Sequence, residues 1–130
     1  MTHEARYRVH YEDTDMAGVV YYANYLKFIE RGRSEALREA GVDQRAMRDD
    51  GIVFVVKSLK AEYIAPGRYD DLLTVHTNLQ EIKGASAILA QSITCDGVKL
   101  FEADVRIACM SATGKPVRMP EIAIKALKSL

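Results

Sequence analysis

A long helical period occurs once in this chain, and after Gly51 it gives way to strict alternation. Tyr22, Tyr25, Leu26, Ile29, Ala36, Leu37 and Ala40 recur at spacings of three and four, flanked by Lys27, Glu30, Arg31, Arg38 and Glu39. That pattern predicts one long helix, ended at Gly41 by a left-handed residue. Past Gly51 the period falls to two. Val53, Val55, Leu59, Ala61 and Tyr63 share a face up to Ala65-Pro66-Gly67; Leu73, Val75, Thr77 and Leu79 follow, up to Lys83-Gly84; then come Ala87, Leu89, Ile93 and Cys95. Asp96-Gly97 joins the last of these to a strand in which Phe101, Ala103, Val105, Ile107 and Cys109 alternate with charges, because both residues of a tight hairpin turn need positive φ. Residues 5–11 alternate too, with Tyr7, Val9 and Tyr11 on one face. Two short helices complete the pattern: one capped by Asp43 and stopped at Gly51, and one over residues 120–130. One strand, one long helix and four strands joined by hairpins predict an α+β domain over residues 1–130, an antiparallel sheet with the helix on one face.

Between the first strand and the helix lies YEDTD, which places three carboxylates (Glu12, Asp13, Asp15) within four positions, and the chain turns again at Gly18. A helix N-terminus leaves N–H groups unpaired and carries partial positive charge. Such donors bind an oxyanion, and a carboxylate just upstream can attack a carbonyl or activate water. Capping is the plainer role for an aspartate ahead of a helix. Asn24 stands available for that task.

Composition removes other chemistries. Lys plus Arg and Asp plus Glu number 18 each, so no general field draws the chain to nucleic acid or an anionic membrane. The start, MTHEARYRVHYED, lacks the pattern of a signal peptide, and no apolar run reaches the ~20 residues that span a bilayer, so a cytoplasmic location is expected. Cys95 and Cys109 are far apart among strand residues and read as buried free thiols. His3, His10 and His76 lack zinc-ligand spacing, and neither a Gly-x-Ser-x-Gly elbow, a phosphate-binding loop nor a dinucleotide fingerprint occurs. No metal and no cofactor is expected.

The segments YEDTD, GVVY, NYLKFIERGRSEALR and FVVKSLKAEYIAPGRYDD together resemble the signature of hotdog-fold acyl-CoA thioesterases of the 4-hydroxybenzoyl-CoA thioesterase type. They are most similar to the bacterial branch associated with the Tol-Pal system, and the likeness runs through nearly the whole chain. The resemblance implies a hotdog fold, a five-stranded antiparallel sheet wrapped around one long helix. It also implies an acyl-CoA substrate, with acyl carrier protein as the other conceivable carrier, and a homodimer or homotetramer that completes its sites across an interface.

By the same resemblance Asp15, the second aspartate of Asp13-Thr14-Asp15, is the catalytic carboxylate, as nucleophile or general base. Asp13 is then structural, pairing with an arginine or turning the loop. The backbone N–H of Tyr22 is the implied oxyanion donor; many Tol-Pal relatives have His at this position. Tyr21, Tyr25 and Tyr63 are candidates to line an acyl pocket, while aromatics at such spacing also build cores. Lys83 and Arg118 match the positions that meet coenzyme A phosphates, and Glu30, Arg31, Arg33 and Glu35 read as surface or interface pairs. A thiol of pKa ~8.5 leaves without much acid assistance, so one carboxylate, backbone donors and no histidine beside them suffice for a thioester. A non-catalytic module that binds acyl thioesters is the alternative, and a dehydratase would need a histidine at the loop.

Overall fold

The computed structural model describes residues 2–130. Strands β1 (His3–Arg8), β2 (Ile52–Tyr63), β3 (Leu72–Lys83), β4 (Ser86–Cys95) and β5 (Val98–Ser111) form one antiparallel sheet in the order β1-β3-β4-β5-β2. Helices α1 (Asn24–Glu39), α2 (Gln44–Asp49) and α3 (Glu121–Lys128) complete the chain. The inward faces of β3, β4 and β5 supply Leu73, Val75, Leu89, Ile93, Phe101 and Val105, all fully buried. Against them α1 lays Tyr25, Phe28, Ile29, Gly32, Ala36 and Leu37. This is the hotdog arrangement, with sixteen-residue α1 as the longest helix among those described.

Turn chemistry behaves as its residues dictate. Gly41 and Gly51 have φ of 98° and 81°, and Asp96-Gly97 both have positive φ, at 49° and 80°. Asp43 caps α2 by accepting from the N–H groups of Arg45 and Ala46.

Four expectations need correction. The first strand ends at Arg8, not Tyr11, because the chain turns into a short 3-10 segment at Tyr11–Asp13; Tyr11 is 79% exposed and stacks on Tyr69. The four later strands are not a run of hairpins. After Ala65-Pro66-Gly67 the chain crosses from edge strand β2 to β3, which pairs with β1 and β4. Val53 and Val55 do not share a face with Leu59, Ala61 and Tyr63. Lys57 is an extra residue between the pairs Val56↔Ile107 and Ser58↔Arg106, and this bulge moves the inward face from Phe54 and Val56 to Leu59, Ala61 and Tyr63. Finally, Cys95 is only half-buried, whereas burial pushes the fully enclosed Cys109 thiol up to about 11 and keeps it protonated. No helix among the described residues is long and apolar enough to cross a membrane.

Candidate active site

The acidic loop is a hairpin pinned at three levels. Asp13 is buried, and its Oδ2 accepts from the His10 N–H at 2.8 Å while its carbonyl accepts from Tyr21 N–H at 2.9 Å and Asn24 Nδ2 at 3.0 Å. Thr14 bridges to Val20, and Asp15 N–H donates to the Val19 carbonyl at 2.9 Å. Val20 N–H reaches the Gly67 carbonyl at 2.8 Å, which ties the loop to the segment leaving β2. Asp13 therefore turns the loop; no arginine pairs with it among the described residues. Asn24 is the first residue of α1 rather than its cap, and its amide joins helix to loop.

Asp15 is exposed at the tip. Its Oδ1 accepts from Ala17 N–H at 2.9 Å, and its carbonyl accepts from Gly18 N–H at 3.0 Å, a turn that Gly18 closes with φ of 78°. The other carboxylate oxygen has no hydrogen-bond partner among the described residues. The N–H groups of Tyr22 and Ala23, between the hairpin and α1, likewise have no acceptor there. Contrary to the expectation of no histidine nearby, His10 stands at the loop's edge. Only its backbone engages Asp13, and no hydrogen bond joins its ring to Asp15.

The three tyrosines divide. Tyr21 is 45% exposed and Tyr63 is 49% exposed, and Tyr22 between them is 62% exposed. Their rings meet edge to face, Tyr21 on Tyr22 at 5.0 Å and Tyr22 on Tyr63 at 6.2 Å, and the Tyr63 hydroxyl donates to the Tyr22 carbonyl at 3.0 Å. Tyr25 is a core residue instead: its ring stacks on Phe101 at 5.2 Å, and its hydroxyl accepts from Gly67 N–H at 2.9 Å. Burial pushes its pKa up.

Lys83 and Arg118 come together, but far from Asp15. Met119 N–H reaches the Gly84 carbonyl at 3.5 Å, so the two cations flank one turn; Lys83 pairs with Glu81 at 3.3 Å, both well exposed. That turn ends β3, whereas the acidic loop sits near its beginning, roughly 35 Å of strand away. Within one chain they do not form one site.

One buried polar residue was not among the sequence candidates. Gln91, passed over in a strand read as Ala87, Leu89, Ile93 and Cys95, is 2% exposed; its Nε2 donates to the Ile29 carbonyl and to Thr77 Oγ1, each at 2.9 Å. Its Oε1 accepts from Arg33 at 3.3 Å, so Arg33 turns inward instead of forming a surface pair. Glu35 does pair with Arg38, and Arg31 lies over the Phe28 ring at 5.5 Å. The clue was position: Gln91 falls on the period-two face of its apolar neighbours.

Residues 9–127 match the sequence model of the thioesterase-like superfamily. The acyl-CoA thioesterase YbgC of Haemophilus influenzae is 41% identical over 116 residues, covering 88% of this chain and 85% of its own. A probable thioesterase from Bartonella henselae superposes with a TM-score of 0.83 at 39% identity, over 92% of this chain and 98% of that one. A 4-hydroxybenzoyl-CoA thioesterase mutant in complex with 4-hydroxybenzoyl-CoA superposes with a TM-score of 0.89 over 97% of this chain and 98% of that one, and at 20% identity speaks for the fold alone. The chain belongs to the thioesterase-like superfamily, with the hotdog fold of the 4-hydroxybenzoyl-CoA thioesterase and YbgC type.

Proposed function

We propose that this chain hydrolyses an acyl-CoA thioester to the free acid and coenzyme A, with Asp15 as the catalytic carboxylate. The observation that carries the reading is one hairpin, leading into α1, that leaves a carboxylate oxygen of Asp15 and the N–H groups of Tyr22 and Ala23 without partners among the described residues. Those N–H groups would take the negative charge that develops on the thioester oxygen. As nucleophile, the Asp15 carboxylate forms a mixed anhydride while the C–S bond breaks and the thiolate departs; water then cleaves the anhydride. As general base, it takes the proton from the water that attacks directly. Either route needs no strong acid, because the thiolate is a good leaving group. Free-thiol release from a panel of acyl-CoA thioesters tests the proposal, and binding without turnover across the panel would overturn it in favour of a binding module.

Assembly follows from the same surface. Edge strand β2 leaves one side unpaired, and its inward Val56, Leu59 and Tyr63 are 44%, 41% and 49% exposed. A second copy would pair with that edge and close over the open side of these residues, making at least a dimer. Sedimentation equilibrium at micromolar concentration is expected to give a mass of two or four chains; a mass of one chain contradicts this.

If a partner copy also brings the Lys83 and Arg118 turn to the phosphates, replacing both with Ala raises KM for acyl-CoA several-fold. Turnover of the matching acyl-pantetheine thioester, which lacks those phosphates, stays nearly unchanged. Equal losses on both substrates, or on neither, would place the carrier elsewhere.

A further inference from the structure

Helix α1 leans on β1, β3 and β4, away from edge strand β2. Tyr63, Leu59 and Val56, all more than two-fifths exposed, form a row on the inward face of β2. At one end of the row the Tyr63 hydroxyl is tied to the Tyr22 backbone. At the other end Val56 joins Leu37, Phe54 and Ile107 in walling a cavity of about 210 Å³, with Arg33 and Glu30 at its side.

Arg33 is unusual for a helix arginine. It is half-buried and makes no ion pair among the described residues. Its one hydrogen bond goes to Gln91, which is itself locked by Thr77 and the Ile29 carbonyl. A desolvated guanidinium without a carboxylate is costly unless an anion or acceptor completes it. The charge of Glu30 acts on it from outside ion-pair distance, and that carboxylate accepts from Ser34 Oγ at 3.2 Å.

We propose that the acyl chain lies along this row into the cavity and that Arg33 recognises a carboxylate at its far end, so that the favoured substrates are medium-chain ω-carboxyacyl thioesters. The proposal rests on the thioesterase reading. Bidentate pairing of a planar guanidinium with a carboxylate supplies the selectivity. Length supplies the chain class. Tyr22 and Arg33 lie roughly 16 Å apart along the helix axis, an extended chain advances about 1.2 Å per bond, and a helix arginine points back toward the N-terminus, so roughly eight to ten carbons close the gap.

The experiment compares decanedioyl-CoA, acylated at one end, with decanoyl-CoA. Wild-type protein should show kcat/KM at least tenfold higher for the carboxylate-ended substrate. Arg33→Met should erase that preference, lowering kcat/KM for the diacid substrate at least tenfold more than for decanoyl-CoA. Glu30→Gln, on an exposed side chain, should strengthen the preference. Equal loss on both substrates in Arg33→Met, unchanged selectivity in Glu30→Gln, or no preference in wild type overturns the end-group proposal; if Arg33→Met fails to fold, the wild-type and Glu30→Gln comparisons still decide. Turnover of decanoyl-CoA without discrimination leaves the thioesterase reading standing. Absence of free thiol from every acyl-CoA tried overturns both.

Discussion

Asp15→Asn is expected to lose at least ~100-fold in kcat on any accepted acyl-CoA while remaining folded. The amide can neither attack a carbonyl nor take a proton from water. Its carbonyl oxygen can still accept from Ala17 N–H, as Asp15 Oδ1 does at 2.9 Å, so the hairpin keeps its turn. Asp13→Asn is the matched control, because Asp13 faces inward onto the His10 N–H and its amide retains an acceptor for that bond. It should do less harm to the chemical step. Circular dichroism establishes folding for both variants, and single-turnover kinetics isolates chemistry from product release. Equal kcat for Asp15→Asn and wild type on a good substrate removes Asp15 from the catalytic role.

Where local physics decides the outcome, the chain is legible. The helix from Asn24, the Asp43 cap, the stops at Gly41 and Gly51 and the Asp96-Gly97 turn each depend on a few adjacent residues. The bulge at Lys57 is different, because Val53, Phe54, Val55 and Val56 are all apolar and either alternate set could face inward. Partner choice is hidden for a related reason: nothing in residues 64–71 says that the chain crosses the sheet instead of folding back. At the candidate site, Asp15 is singled out by the family resemblance of its Asp-x-Asp segment, and the residues alone leave capping open. The sequence does not separate exposed Tyr21, Tyr22 and Tyr63 from buried Tyr25, since all four are tyrosines near one loop and only burial in the core, with its hydroxyl on the Gly67 N–H, distinguishes the last. Lys83 and Arg118 were readable as surface cations, but their distance from Asp15 belongs to the topology.

Gly32→Ala is expected to destabilise the fold by about 1–3 kcal/mol, against the usual trend for a helix interior, where replacing glycine with alanine stabilises by roughly 1 kcal/mol. The sign is decided by contact distance. A Cβ on Gly32 would lie 2.4 Å from Val75 Cγ1 and 3.0 Å from Val75 Cβ, and Val75 is fully buried on the centre-facing side of β3. Neither partner can swing away, so α1 must lift from the sheet. Thr77 Oγ1 lies 3.6 Å from the same point, so lifting the helix also strains the Thr77–Gln91 link to the Ile29 carbonyl. Chemical denaturation of Gly32→Ala, Val75→Ala and the double variant measures the conflict as a coupling energy. Val75→Ala alone removes buried methyl groups and destabilises by leaving a cavity. In the double variant the new methyl occupies part of that space, so it should be more stable than the sum of the two single losses predicts. Strict additivity, or a Gly32→Ala protein more stable than wild type, would show that the helix seats on β3 with more room than a 2.4 Å approach allows.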